Sequence, residues 1–390
     1  DIDALARSRA MQLAIEDANK RQGVAGRKFA FRTCDKSGNW VAGGAKKASH
    51  IAKWLSESGT HAVITGGSND TLAVHAGTSV YKTLVMSLTA TAADITHLTD
   101  DGLVWRVAPS DLYQGVVMSK VLSEQGATSV AAIVVDNAYG DSLAKILKDY
   151  PGTMTIKSYP VSATVDTPTK VIDLVAAQKP DYIVLASSVG AAIKVVDALA
   201  EHPTLSKVPV LLSDALRKKD FFNGLKNPDQ LVGSLGTLPG DPSGPTFDAF
   251  ATHFKLNFND DATQRSFTAH SYDAVYALIL AHAWALRDDK NKKLSGADLV
   301  EGLQKLSDPN GTKYTLESTN YVAATSELLA AKAINIDGAS GPLDFDPDSG
   351  EPTSAVEIWQ VEKGASFKTL RWIRALKDGT GWTYEETLPK

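Results

Sequence analysis

Cysteine is almost missing from this chain: Cys34 is the only one in 390 residues. That excludes a disulfide within the chain and any cysteine-rich metal site. Long apolar runs are missing as well, and none reaches the roughly 18 residues that span a bilayer. No excess of basic charge exists, with 40 Lys and Arg against 45 Asp and Glu and a net charge of -5. A nucleic-acid partner, which wants a basic face, is therefore not expected. The tightest basic cluster, Arg217-Lys218-Lys219, is followed at once by Asp220 and reads as a solvated surface. The glycine pairs at 43–44 and 66–67 do not space as a dinucleotide fingerprint or a P-loop. No G-x-S-x-G elbow occurs. The eight histidines are dispersed, and His270 with Asp273 reads as a surface pair one helical turn apart. Neither a cofactor, a metal nor a catalytic centre is expected. No signal peptide is visible, since Asp1-Ile2-Asp3 runs directly into a helical pattern, so an exported form would have lost its targeting segment.

What is present is length and alternation. A chain of 390 residues is too long for one ordinary core and predicts two or three lobes. Ala4–Asn19 and Ala45–Ser58 have helical apolar spacing, and Arg27–Arg32 alternates as a strand does. From Leu103 to Leu212, apolar runs alternate with helical segments. Val130–Val135 is continuously apolar, as in a strand buried on both faces. Strict strand–helix alternation predicts an α/β fold with helices on both faces of parallel sheets. Pro239–Pro245 is rich in proline and glycine and is the best linker candidate. Val356–Val361 and Thr369–Arg374 read as a terminal hairpin.

Ala62–Asp94 is the stretch with functional character. Two apolar runs break into small polar turns, Gly66–Thr71 and Thr89–Ala92. In a parallel sheet both turns fall at the carboxyl edge, where open α/β folds bind ligands. Such turns offer backbone N–H groups and hydroxyls to a small ligand. Ser and Thr also serve as ordinary turn and cap residues, and that reading stands beside the functional one.

The run AVITGGSNDT…TLVMSLTATAADIT, followed by VWRVAPSDLYQG, VAAIVVDNAYGDSL, PDYIVLASS, PVLLSDA and GPLDFDPDSG, resembles the branched-chain-amino-acid-type solute-binding proteins of ABC transporters. The motifs occur in the right order over most of the chain. The resemblance implies the type I periplasmic-binding-protein fold: two doubly wound parallel-sheet lobes joined by three crossovers, near Pro109, Pro239–Pro245 and Gly350–Ser354. The lobes would be 1–109 with 241–350, and 110–240 with 351–390. It implies a non-catalytic receptor that closes on a small amino acid or related zwitterion and then meets a membrane permease. A sensory module of the same fold is the alternative, and an α/β enzyme a more remote one. The location implied is periplasmic or extracellular, free or lipid-anchored.

Carried over by motif, Ser68 and the backbone at Asn69 would hold a ligand carboxylate. Thr89, Ala90 and Thr91 would supply a carbonyl and a hydroxyl. Tyr139 would supply an aromatic wall and Asp214 an acid for the ligand ammonium. Ser188 stands where the family often has an aromatic residue, which implies a wider or more polar pocket. Trp40 lies in a loop within reach of the cleft, although loop tryptophans ordinarily pack on the protein. The resemblance also implies a central strand and an aromatic loop ahead of the first helix. Neither is found there, so a segment ahead of Asp1 is expected to be missing, with Thr369–Arg374 as the alternative filler. Cys34 matches a half-cystine whose partner is absent and is expected to be a reduced, packed residue.

Overall fold

The computed structural model describes residues 2–35, 44–240, 242–378 and 381–389. Trp40, considered above for the cleft, lies outside the described residues. The chain opens with helix α1, Ile2–Lys20, and continues after the polar loop with α2, Gly44–Glu57. Three short strands follow: β1 Ala62–Thr65, β2 Leu84–Ser87 and β3 Val104–Arg106. They form a parallel sheet in that order. Every residue of β2 is buried, as expected for a parallel strand covered on both faces. Helix α3, Ser68–Thr78, joins β1 to β2.

The second sheet is built from β4 Ser129–Val135, β5 Thr155–Val161, β6 Tyr182–Ala186, β7 Val210–Leu212 and β8 Leu235–Pro239, all parallel. Helices α4, Asp111–Glu124, and α5, Ala138–Asp149, pack against it. The chain then returns to the first half. There the helix Thr268–Ala285 is buried on nearly all sides. An all-round apolar helix belongs in the middle of a core, and this one packs on α1 and on two shorter helices, Gly296–Leu303 and Tyr321–Leu329. A small sheet follows, β9 Thr312–Thr315, β10 Ile334–Gly338 and β11 Gly341–Pro342, and then the short pair β12 Phe345–Asp346 and β13 Glu351–Pro352. The tail, β14 Val356–Glu362, β15 Ser366–Asp378 and β16 Gly381–Thr387, completes the second sheet antiparallel to β8.

The order of that eight-stranded sheet is β16-β15-β14-β8-β7-β6-β4-β5. The chain passes between the two halves three times, after β3, after β8 and after β13, which is the architecture that the resemblance implies.

Four expectations need correction. Arg27–Arg32 is not a strand: only an isolated bridge, Val24 to Arg27, forms there, because no neighbouring strand lies against it among the described residues. Thr369–Arg374 does not fill the first sheet, since it lies in β15 between β14 and β16. Arg217 is not solvated. It is 6% exposed and bonds Glu357 at 3.1 Å and the Thr263 carbonyl at 3.1 Å. His270 and Asp273 are not a surface pair either, being 2% and 0% exposed on the buried helix. Cys34 is a free thiol, half-buried.

Candidate functional site

The two polar turns of the first sheet are tied together by hydroxyls. Thr71 Oγ1 lies 2.8 Å from Thr65 Oγ1 and donates to Ser87 Oγ at 3.0 Å. Ser87 Oγ donates to the Gly66 carbonyl at 2.8 Å and accepts from the Ala90 N–H at 3.1 Å. Ser68 opens α3, and its Oγ accepts from the Ala92 N–H at 3.1 Å. The first-turn N–H groups of α3, with the positive end of the helix dipole, thus lie beside Ala90–Ala92. From below, Arg106 holds the second turn. Its guanidinium donates to the carbonyls of Ala92 at 2.9 Å and Ala90 at 3.3 Å, to Thr96 Oγ1 at 2.7 Å, and through Nε to Glu351 Oε2 at 2.8 Å. Arg106 is 1% exposed, so this ion pair also pins the third crossover to β3.

The second half contributes the ends of β4 and β7. Asn137 caps α5 by accepting from the N–H groups of Tyr139 and Gly140 at 3.0 and 3.1 Å. A side chain at residue 140 would stand 1.9 Å from the Val135 carbonyl oxygen, so the turn requires Gly140. This turn aims the Tyr139 hydroxyl at Asp214, to which it donates at 2.6 Å. Gln114 Nε2 donates to the same oxygen at 2.9 Å and to Thr237 Oγ1 at 2.9 Å.

Asp111, at the start of α4, completes the cluster. Its N–H donates to the Thr91 carbonyl at 2.6 Å, and its side chain is 0% exposed. Neither of its carboxylate oxygens, nor Thr91 Oγ1, Gln114 Oε1 or Ser213 Oγ, has a protein hydrogen-bond partner of ordinary geometry. Burial, and then the neighbouring Asp214 carboxylate, push the Asp111 carboxyl up to about 7; the nearby hydroxyls of Thr91 and Ser142 and the charge of Arg106 oppose this. Burial also raises Asp214, against the pull of Tyr139 and Gln114. Lys218 is lowered by burial and then by Arg7, while Asp3, Asp214 and Asp220 draw it the other way. The arrangement suits a small ligand that carries both charges. An anionic group fits the hydroxyls and the helix end, and a cationic group fits the paired carboxylates.

Besides the Asp111 N–H bond to the Thr91 carbonyl, two bonds to side chains join the halves across this cluster. Ala138 N–H donates to Asn69 Oδ1 at 3.1 Å, and Ala93 N–H to Ser142 Oγ at 2.9 Å. Of the residues singled out from sequence, Ser68, Asn69, Ala90, Thr91, Tyr139 and Asp214 are linked through this network. Thr89 is half-buried within the same turn. Ser188 stands apart: its Oγ donates to the Ala163 carbonyl at 3.3 Å, beyond the end of β5. Sequence reasoning missed Asp111, Gln114 and Arg106. A charged residue inside the apolar run Val104–Val107 was the available signal for Arg106.

Residues 6–364 match the family described as receptor family ligand binding region. The chain is 25% identical over 361 residues to a chemotactic signal transduction system substrate-binding protein, BasB, of Halobacterium salinarum, covering 90% of this chain and 81% of that one. Among solved structures it is similar to a leucine-binding protein, LivK, of Thermotoga maritima, with a TM-score of 0.74, 17% identity and 95% of each chain covered. It is also similar to the branched-chain amino acid transporter substrate-binding protein LivJ of Streptococcus pneumoniae in complex with isoleucine. There the TM-score is 0.73 and the identity 16%, over 99% of this chain and 95% of that one.

Proposed function

The chain belongs to the receptor-family ligand-binding-region family, and on that premise we propose that it is the solute-binding component of an ABC importer. The family and the fold are those of binding and receptor proteins. The ligand is a small amino acid or related zwitterion, held between two lobes that close by a hinge motion. The lobes are 1–109 with 241–350, and 110–240 with 351–390. The observation that carries this reading is the buried polar cluster at the junction of the halves, with hydroxyls and a helix N-terminus on one side and Asp111 and Asp214 on the other.

Ser68, Asn69, Ala90 and Thr91 take the ligand carboxylate, with Thr89 at the rim. Tyr139 and Asp214 take the ammonium end as the second lobe closes, and Ser188 leaves the outer pocket open. A ligand that touches both lobes favours the closed form by its extra contacts there. The closed form then docks on a membrane permease, outside the cytoplasmic membrane. The chain turns over nothing. The test is calorimetric titration with amino acids of the wild type and Asp214→Ala, with mass spectrometry of the ligand recovered afterwards. Equal affinity in the two proteins would remove the ammonium role, and a chemically altered ligand would revive the enzyme reading.

A sensory role for the same receptor is favoured by one observation, the relative named as part of a chemotactic signal transduction system. Both readings share the ligand site and differ only in what the closed form meets.

A further inference from the structure

Arg106, Arg217 and Arg265 sit inside the molecule with acids at hand. Arg106 bonds Glu351, Arg217 bonds Glu357, and Arg265 pairs with Asp260 at 3.0 Å. Two other cations at the junction of the halves are placed differently. Arg7 of α1 and Lys218, which follows β7, are half-buried, and neither has a hydrogen bond or an ion pair within 4 Å from its side chain among the described residues. A cation withdrawn from water without such a partner is costly.

A chain of ion pairs brings the two cations to one place. Arg9 to Asp260, Asp260 to Arg265 and Arg265 to Asp3, at 3.7, 3.0 and 3.8 Å, lay the start of α1 along segment 260–265. Arg217 donates to the Thr263 carbonyl of that same segment at 3.1 Å. Lys218 is the next residue, and Arg7 stands one helical turn beyond Asp3. Arg7 belongs to the first half and Lys218 to the second, and each lies within the field of Asp3. The acids in range of Lys218 are Asp3, Asp214 and Asp220. Asp3 is engaged by Arg265, and Asp214 by Tyr139 and Gln114.

The turn after β7 keeps Lys218 close to the ligand cluster. Arg217 N–H donates to the Asp214 carbonyl at 3.3 Å, and Lys218 N–H to the Leu216 carbonyl at 2.8 Å. The geometry points to a subsite for a second carboxylate: the ligand is an acidic amino acid of the aspartate–glutamate class, and its side-chain carboxylate lies between Arg7 and Lys218. This subsite rests on the reading of the chain as an amino-acid receptor, in which Asp214 takes the ammonium, and adds what the ligand side chain carries. A guanidinium fork and an ammonium point charge are both suited to a carboxylate. Two cations facing each other from opposite halves also repel when the halves meet. A neutral side chain leaves that repulsion in place, whereas a carboxylate between them is attracted to both halves. The same anion is thus selected and helps to drive closure.

The test is calorimetric titration of the full chain with glutamate, aspartate, glutamine and leucine in one buffer. Glutamine is the control, since it matches glutamate in shape and lacks the charge. Glutamate or aspartate should bind at least about tenfold more tightly than glutamine. Lys218→Met and Arg7→Met should each weaken the acidic ligand about tenfold and glutamine less than about threefold. A merely structural role would weaken both ligands alike, and the ratio in the unaltered chain depends on no variant folding. Equal affinity for glutamate and glutamine overturns the subsite, and so do variants that lose both ligands equally. Tight leucine binding that Asp214→Ala abolishes, with no binding of the acidic pair, overturns the subsite and leaves the receptor reading standing. If none of the four binds, the subsite falls, and a wider set of amino acids decides the receptor reading.

Discussion

Asp111 and Asp273 are both fully buried carboxyls, and their surroundings could hardly differ more. Asp273 sits inside the first half, on the buried helix, and accepts from Ala339 N–H at 2.9 Å, Ser340 N–H at 2.7 Å and Ser340 Oγ at 2.6 Å. Gly338 makes room for it: a side chain there would come within 2.3 Å of Asp273 Oδ2. Burial pushes this carboxyl up to about 6, and the three donors restrain it. Asp111 sits where the halves meet, has no backbone N–H on its carboxylate, only the nearby hydroxyls of Thr91 and Ser142, and faces a second carboxylate in Asp214. A buried acid surrounded by its own donors fastens a fold. A buried acid with only loosely placed hydroxyls about it, beside another acid, is suited to something that arrives from outside.

The comparison breaks most visibly at Asp273. Asp273→Ala leaves two backbone N–H groups and a hydroxyl buried without an acceptor. The expected loss is about 3 kcal/mol or more in denaturant unfolding, with ligand affinity unchanged in whatever remains folded. Asp214→Ala should do the reverse. Stability changes little, because a costly buried charge leaves along with its bonds, while affinity for the best amino acid falls by about 2–3 kcal/mol, on the order of a hundredfold. A variant series in which Asp273→Ala weakens binding as much as Asp214→Ala would erase the distinction.

Much of this contrast was out of reach of the sequence. Val130–Val135 announced a strand because its burial on both faces needs no partner's identity. The turns after β1 and β2 announced a ligand edge because small polar residues at strand ends are a local signal. Arg27–Arg32 alternates correctly and still forms no strand, since strand formation depends on a neighbour that local pattern does not show. Arg217 and Asp273 looked solvated because their partners, Glu357 and Ser340, are distant in sequence. Asp111 drew no attention in the sequence, and only the fold sets it against Asp214. Ser188 was placed by motif in the ligand set, and the structure bonds it elsewhere.

Protonation sharpens the comparison next. Asp111 carries a folded-state value of about 7, above the 3.8 expected when unfolded. Its contribution to stability is therefore complete below about pH 4 and is lost as pH rises through 7. Asp111→Asn should gain on the wild type by up to roughly 1.4 kcal/mol per pH unit across that window and no further above it. A ligand ammonium beside Asp111 favours its ionised form. Binding below pH 7 should then release a proton, read as a dependence of the calorimetric heat on the ionisation enthalpy of the buffer, and Asp111→Asn should abolish that release. A wild type that releases no proton near pH 6 would mean that Asp111 belongs with Asp273 after all.

The smallest effect should come from the bonds that Asn69 and Ser142 make between the halves. Asn69 and Ser142 touch across the junction through single neutral hydrogen bonds, each worth about 0.5–1.5 kcal/mol. Neither residue fastens a core as Asp273 does, and Asn69 is assigned to the ligand carboxylate through its backbone, which alanine keeps. Asn69→Ala and Ser142→Ala should therefore shift the open–closed balance and little else. Small-angle scattering of the unliganded variants should show a larger radius of gyration than the wild type. Affinity should fall only about two- to tenfold, because the ligand must now supply the closure energy that these bonds contributed. If both variants scatter as the wild type does, the halves are held together by other contacts, and closure would not depend on the junction that contains Asp111.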